Sequence, residues 1–313
     1  MVAPFIGFQF GTHAIWGRMV LRLPQETLAT SKADFAALVA ANALLAVGPL
    51  FVRVADVGPV ASAFWRMAIA LPILVLLAAR SGMPRLSRGV VFVLVLSGVL
   101  FAADLASWHL GILQTKLANA TLFGNSTSLL FPIYGFIVAR AWPSQRQGFA
   151  LALAAVGAAL LMGRSYQLSP EHLIGDLLCV LAGVFYTLYF VIIARARETL
   201  SALPLLALST LAGAAPLLLL AIAMGERVIP GDWTPLIGLA LCSQVIGQGL
   251  MVYVLGRLKP LVIGLGLLTQ PVVAAAIGWS AFGERLGTAD IIGAVLVGLA
   301  LVLVREPASD PKS

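Results

Sequence analysis

The sequence predicts an all-α membrane protein in which ten transmembrane helices form two inverted five-helix repeats, with both termini cytoplasmic. Three observations carry this. Of 313 residues, 60% are hydrophobic and only 11% charged, with a mean hydropathy of +1.00, whereas a soluble domain has about a quarter charged residues. From residue 35 the chain alternates apolar stretches of ~20 residues, enough to cross a bilayer, with short loops rich in Gly, Pro and charge. The second half also repeats the punctuation of the first. Asp34 is followed 19 residues later by Arg53, and Asp176 by Arg195; Pro72 in the second span is echoed by Pro216 in the seventh.

Residues 1–34 read as a cytoplasmic extension, because the apolar run 5–16 is too short to span. The spans then fall at 35–54, 60–79, 89–108, 117–139 and 147–163 in a first repeat (35–163). In a second repeat (172–304) they fall at 176–194, 203–224, 235–255, 260–282 and 289–304, before a tail at 305–313. Short cytoplasmic loops are enriched in Lys and Arg. With both termini inside, 14 of the 20 Lys and Arg lie on the cytoplasmic face, five on the other, and Arg66 within a span. Five spans per repeat is an odd number, so the two copies enter the membrane from opposite sides.

The net charge of +7 does not point to nucleic acid, since the basic residues are scattered through loops rather than gathered in a patch. Cys179 and Cys242 both lie within apolar runs, which makes a disulfide framework or a Cys-based metal site a poor reading. The chain has no P-loop, HExxH or Gly-x-Ser-x-Gly motif. No catalytic residue, metal site or cofactor is expected.

The polar residues inside the spans are the candidates for function, because lipid offers them no partner. In the fourth span Thr121, Asn125, Ser128 and Pro132 fall at steps of four, three and four, so one continuous helix would present them as a stripe. Thr269, Gln270 and Pro271 sit at the matching depth of the ninth. Arg66 lies about six residues into the second span, and Asp104 four residues from the end of the third. Both are then roughly 6 to 9 Å inside the same face at ~1.5 Å per residue. Either they pair or face a watery cavity, or Arg66 snorkels to the headgroups while Asp104 is a solvated helix end. Trp108 shares the face of Asp104, and His109 after it reads as a loop residue. Asn42, Tyr186, Tyr189, Gln244 and Gln248 add dipoles at mid-depth on the first, sixth and eighth spans, serving either helix packing or a shared cavity. In the fifth and tenth spans Ala154 and Ala158, and Ala294 and Gly298, recur at four-residue spacing and read as packing or dimer surfaces.

The run LLTQPVVAAAIGWSAFGERLGTADIIGAVLV, with Pro271, Gly283-Glu284 and Gly293, resembles the closing part of the EamA domain, the duplicated five-helix unit of the drug/metabolite transporter superfamily. Arg66 is similar to an arginine often found in the first copy of that unit. The first copy departs from the pattern, with Ser128 in the place of Pro271 and Ala141-Trp142 in that of Gly-Glu. The resemblance implies a pathway lined by spans one to four and six to nine, with spans five and ten outside it. Amino-acid exporters of the YddG type are the first comparison it suggests. The expected function is therefore a bacterial inner-membrane secondary transporter that exports small metabolites, foremost amino acids, by alternating access. Its partners would be the small-molecule substrate and the lipid bilayer, not nucleic acid, and it would act as a monomer or homodimer. An exporter of drugs or other metabolites is the alternative within the superfamily, and a lipid-modifying membrane enzyme the alternative outside it. Asp104 is the one acidic side chain well inside a span, so proton antiport and facilitated diffusion both remain open.

Overall fold

The computed structural model of the chain describes residues 31–115, 120, 123–163, 170–282 and 287–304, and all regular structure among them is helical. Seven helices are long and apolar enough to cross a membrane: Lys32–Val54, Pro59–Ser81, Arg88–Ile112, Pro170–Ala196, Ala202–Ala223, Thr234–Leu255 and Pro260–Ile277. Three shorter apolar helices, Thr127–Ala139, Gln145–Leu161 and Thr288–Val304, stand in the remaining predicted places.

In chain order, α1 (Lys32–Ala46) and α2 (Gly48–Val54) make one slightly broken helix. They are followed by α3 (Pro59–Ser81), α4 (Arg88–Ile112), α5 (Thr127–Ala139) and α6 (Gln145–Gly163). The second half holds α7 (Leu173–Ala196), α8 (Ala202–Ala223), α9 (Thr234–Leu239), a π-helix (Ala240–Gln248), α10 (Gly249–Leu255), α11 (Pro260–Leu267), α12 (Thr269–Phe282) and α13 (Thr288–Val304). Local chemistry sets the ends. Ser31 and Ser87 accept the N–H of Asp34 and Val90 and cap α1 and α4. Pro59 and Pro260 open α3 and α11, where a missing N–H costs nothing. Gly82 after α3 and Gly225 after α8 take φ of +88° and +68°, the left-handed region that glycine enters without strain. These two stops occupy corresponding places in the halves.

The packing between halves maps onto itself when the halves are exchanged. α3 lies on α8, α5 on α11 and α6 on α13; α4 packs on α7 as the π-helix and α10 pack on α1, and α4 on α8 as the π-helix packs on α3. Polar contacts follow the same exchange. Asp34 at the start of α1 meets Arg257 beyond α10 at 3.9 Å, while Asp176 at the start of α7 accepts from Thr115 beyond α4 at 2.5 Å. The core is one cluster shared by both halves, including Leu38, Met67, Phe101, Phe131, Tyr189, Leu217 and Met251.

Three expectations need correction. The fourth span is not one continuous helix: Asn125 and Ser126 form a turn in which Ser128 N–H bonds Asn125 O, an i→i+3 step, before α5 begins. The ninth span breaks at the matching place, where Leu268 N–H bonds Leu265 O between α11 and α12. A tightened turn shifts the register, so the proposed four-residue stripe does not run straight. Ser128 and Pro132 are buried instead against α11, where a side chain at Gly264 would strike Pro132 and the Ser128 carbonyl. Second, α4 continues to Ile112, which puts Asp104 eight residues from its end and His109 inside the helix. His109 is buried, its Nδ1 donating to Pro59 O at 2.6 Å. Third, the small residues of α6 and α13, expected at packing or dimer surfaces, do pack within the chain, but not at every position named. A Cβ on Gly157 would lie 2.8 Å from Gly293 O, and one on Gly293 2.7 Å from Gly157 O. On α13 the contact is made by Gly293 and Val297, whereas Gly298 is exposed with nothing near it.

Candidate substrate site

A polar and aromatic network near the middle of the helices joins α3, α4, α7, α8 and the π-helix. Arg66 on α3 donates from Nε to Gln244 Oε1 at 3.0 Å, and Gln244 Nε2 donates to Thr210 Oγ1 on α8 at 3.0 Å. The guanidinium lies over Phe101 of α4, 5.5 Å from the ring centroid, a cation–π contact. Phe101 stacks in turn on Tyr189 at 4.8 Å and on Tyr186 at 6.1 Å. Gln248, one step along the π-helix, donates to Tyr189 OH at 3.2 Å and accepts from Tyr186 OH at 3.3 Å. The π-helix, whose i→i+5 pattern is common at functional sites, therefore carries the two amides that hold the cation and the tyrosines.

Burial divides these groups. Gln244, Gln248 and Tyr189 are fully buried, as is Asn42, whose Oδ1 accepts from Gln270 Nε2 at 2.9 Å and whose Nδ2 donates to Leu38 O. Arg66, Asp104, Trp108, Asn125, Tyr186 and Gln270 keep part of their surface accessible. Thr121 lies outside the described residues, as do Gly283 and Glu284 of the quoted motif. Ser128 belongs to the α5–α11 contact and stands apart from the network.

Arg66 and Asp104 do not pair. Each feels the charge of the other, but no nitrogen–oxygen contact within 4.0 Å joins them, and the one hydrogen bond of Arg66 goes to Gln244. Asp104 makes neither a hydrogen bond nor an ion pair among the described residues. Of the alternatives, the direct ion pair is therefore ruled out: the charges are neighbours held apart, each with part of its surface accessible. Trp108 spreads over Gly124, at which a Cβ would meet its indole at 2.9 Å.

Sequence reasoning missed Thr210, which lies in the polar step Ser209-Thr210 of an otherwise apolar span and was legible as such. It also missed the closure at the N-terminal end of α3. Glu226, just past α8, accepts the N–H groups of Val60 and Ala61 at 3.2 and 2.8 Å, and Trp65 Nε1 donates to Val228 O at 2.7 Å. Gly58 N–H bonds Arg227 O, and Trp65 meets Trp233 edge-on at 4.7 Å. Only spatial proximity of residues about 165 apart in the chain reveals this.

Two matched sets of apolar helices, broken at corresponding places around a shared polar centre, define a multi-pass membrane protein of duplicated design. The chain belongs to the EamA-like transporter family, whose profile matches residues 31–163 and again 173–305. None of the curated proteins matches it. Among solved structures 29 chains match; one, a crystal structure described only as that of a protein, is similar with a TM-score of 0.74 at 17% identity, covering 87% of this chain and 94% of that one. At such identity the likeness shows the fold alone. Membership in a family of transporters leaves the lipid-modifying enzyme without support.

Proposed function

We propose that the protein is a ten-span secondary transporter of the bacterial inner membrane that exports small metabolites, foremost amino acids, by alternating access. The observation that carries this reading is the partly accessible Arg66–Asp104 pair at mid-depth, where halves that exchange onto one another meet. A cation and an anion kept apart inside a bundle are costly unless they serve a polar ligand. The breaks before α5 and α12 supply irregular backbone of the kind that transporters place beside their central site. The three shorter helices complete five spans per half, and the 14-to-5 bias of Lys and Arg supports cytoplasmic termini. Acting as a monomer or homodimer suits such a pathway, and Gly157 and Gly293 already meet within one chain.

Purified protein in liposomes loaded with radiolabelled amino acids tests the reading. Protein-dependent counterflow is the expected result; flux of drugs or other metabolites but of no amino acid overturns the substrate class. Repeating the measurement with an imposed pH gradient separates proton antiport, which accelerates with the gradient, from facilitated diffusion, which ignores it.

A further inference from the structure

We propose that Arg66 and Asp104 form the two poles of a zwitterion site for an α-amino acid with a bulky apolar side chain, Arg66 meeting the carboxylate and Asp104 the ammonium group. This deepens the transport reading and rests on it. Opposite charges on adjacent helices close into an ion pair unless something holds them apart. Here Gln244 takes Arg66 Nε, Thr210 holds Gln244, and the Phe101 ring lies beneath the guanidinium. The Nη groups of Arg66 are bonded to no described residue, which leaves the end-on fork that fits a carboxylate. Asp104 lies three residues after Phe101 on the same face of α4, half-buried and without a hydrogen bond among the described residues.

An α-amino acid carries both charges on one carbon and satisfies the two poles at once. A monocarboxylate or a simple amine satisfies one and leaves the other buried and unpaired, which is the strongest basis a site has for rejecting a ligand. Phe101 and Trp108 flank Asp104 along α4, and Trp108 and Tyr186 keep open surface for the side chain of the ligand. Gln244 is a positioning residue, acting through Arg66 rather than on the ligand.

The full-length protein in proteoliposomes, exchanging radiolabelled phenylalanine against unlabelled phenylalanine, 3-phenylpropionate or phenethylamine, gives the test. We expect phenylalanine to compete at concentrations at least tenfold lower than either analogue. In Asp104→Asn that advantage over 3-phenylpropionate disappears, and in Arg66→Gln the advantage over phenethylamine disappears. Where a variant loses exchange, ligand-induced thermal shifts of the purified protein read the same preferences. Equal competition by an analogue in the wild type overturns the proposal, as does unaltered preference in the variants. The charge swap Arg66→Asp with Asp104→Arg adds a control: full rescue would show an interhelical ion pair and overturn the ligand site. Exchange of amino acids without discrimination sinks the zwitterion site alone, whereas exchange of none sinks the amino-acid substrate class of the transport reading as well.

Discussion

At the scale of single residues, the proposed site rests on side chains whose hydrogen bonds are arranged around one another. Gln244 is fully buried and its two amide atoms are both used, one on Arg66 and one on Thr210. A hydrogen bond to a charged group contributes roughly 1.5 to 3 kcal/mol, and 1.4 kcal/mol is about tenfold in affinity. Gln244→Leu should therefore raise the half-saturating substrate concentration about tenfold or more with normal amounts of protein in the membrane, and Gln244→Asn, which keeps an amide, should restore part of it. Arg66→Ala should be more severe, since it removes the cation and leaves the Gln244 oxygen without a partner. On the fourth span the structure separates residues that spacing alone had joined. A cysteine at Asn125, half-buried in the turn, should react with a small aqueous thiol reagent and be protected by substrate, while one at Ser128, buried against α11, should stay unreactive. Equal labelling at both positions would show that the α5–α11 contact is open in the membrane.

Among elements, the contrast lies between the start of α3 and the start of α8, which occupy equivalent places. The first is held by the Glu226 carboxylate, which accepts two otherwise orphan N–H groups beside the positive end of the helix dipole. Ser201, at the start of α8, makes no side-chain capping bond. A cap of this kind is worth about 0.5 to 2 kcal/mol. Glu226→Ala should loosen that end, so that a cysteine at the buried Ser62 becomes reactive to an impermeant reagent added from outside, in a background without Cys242. No gain in labelling would mean that Trp65 and Trp233 suffice to hold it. At the α6–α13 contact, Gly157→Leu or Gly293→Leu should lower the melting temperature of purified protein, since overpacking costs roughly 1 to 3 kcal/mol. Gly298→Ala, in open space, should leave it unchanged.

For the whole molecule, the contacts between the two halves map onto themselves when the halves are exchanged, which is the symmetry the proposed alternating access would use. A fluorescent reporter fused after residue 313 should be active and a periplasmic phosphatase at the same place inactive, as cytoplasmic termini require; the reverse pattern would invert every statement about faces. The class is legible in the chain alone. Apolar stretches of span length, basic loops on alternate sides and repeated Asp, Arg and Pro positions are one-dimensional signals, because bilayer thickness and charge asymmetry act on each segment separately. It also singled out Arg66, Asp104, Gln244 and Gln248, since polarity in a span is conspicuous wherever it points. Which of them meet is set by how the helices pack. The turn at Asn125 moved Ser128 out of the stripe, α4 ran past His109 and buried it, and Arg66 bonded Gln244, 178 residues away, instead of Asp104. Those outcomes depend on helix register and on which side chains meet across the two halves, and neither is a property of any one segment.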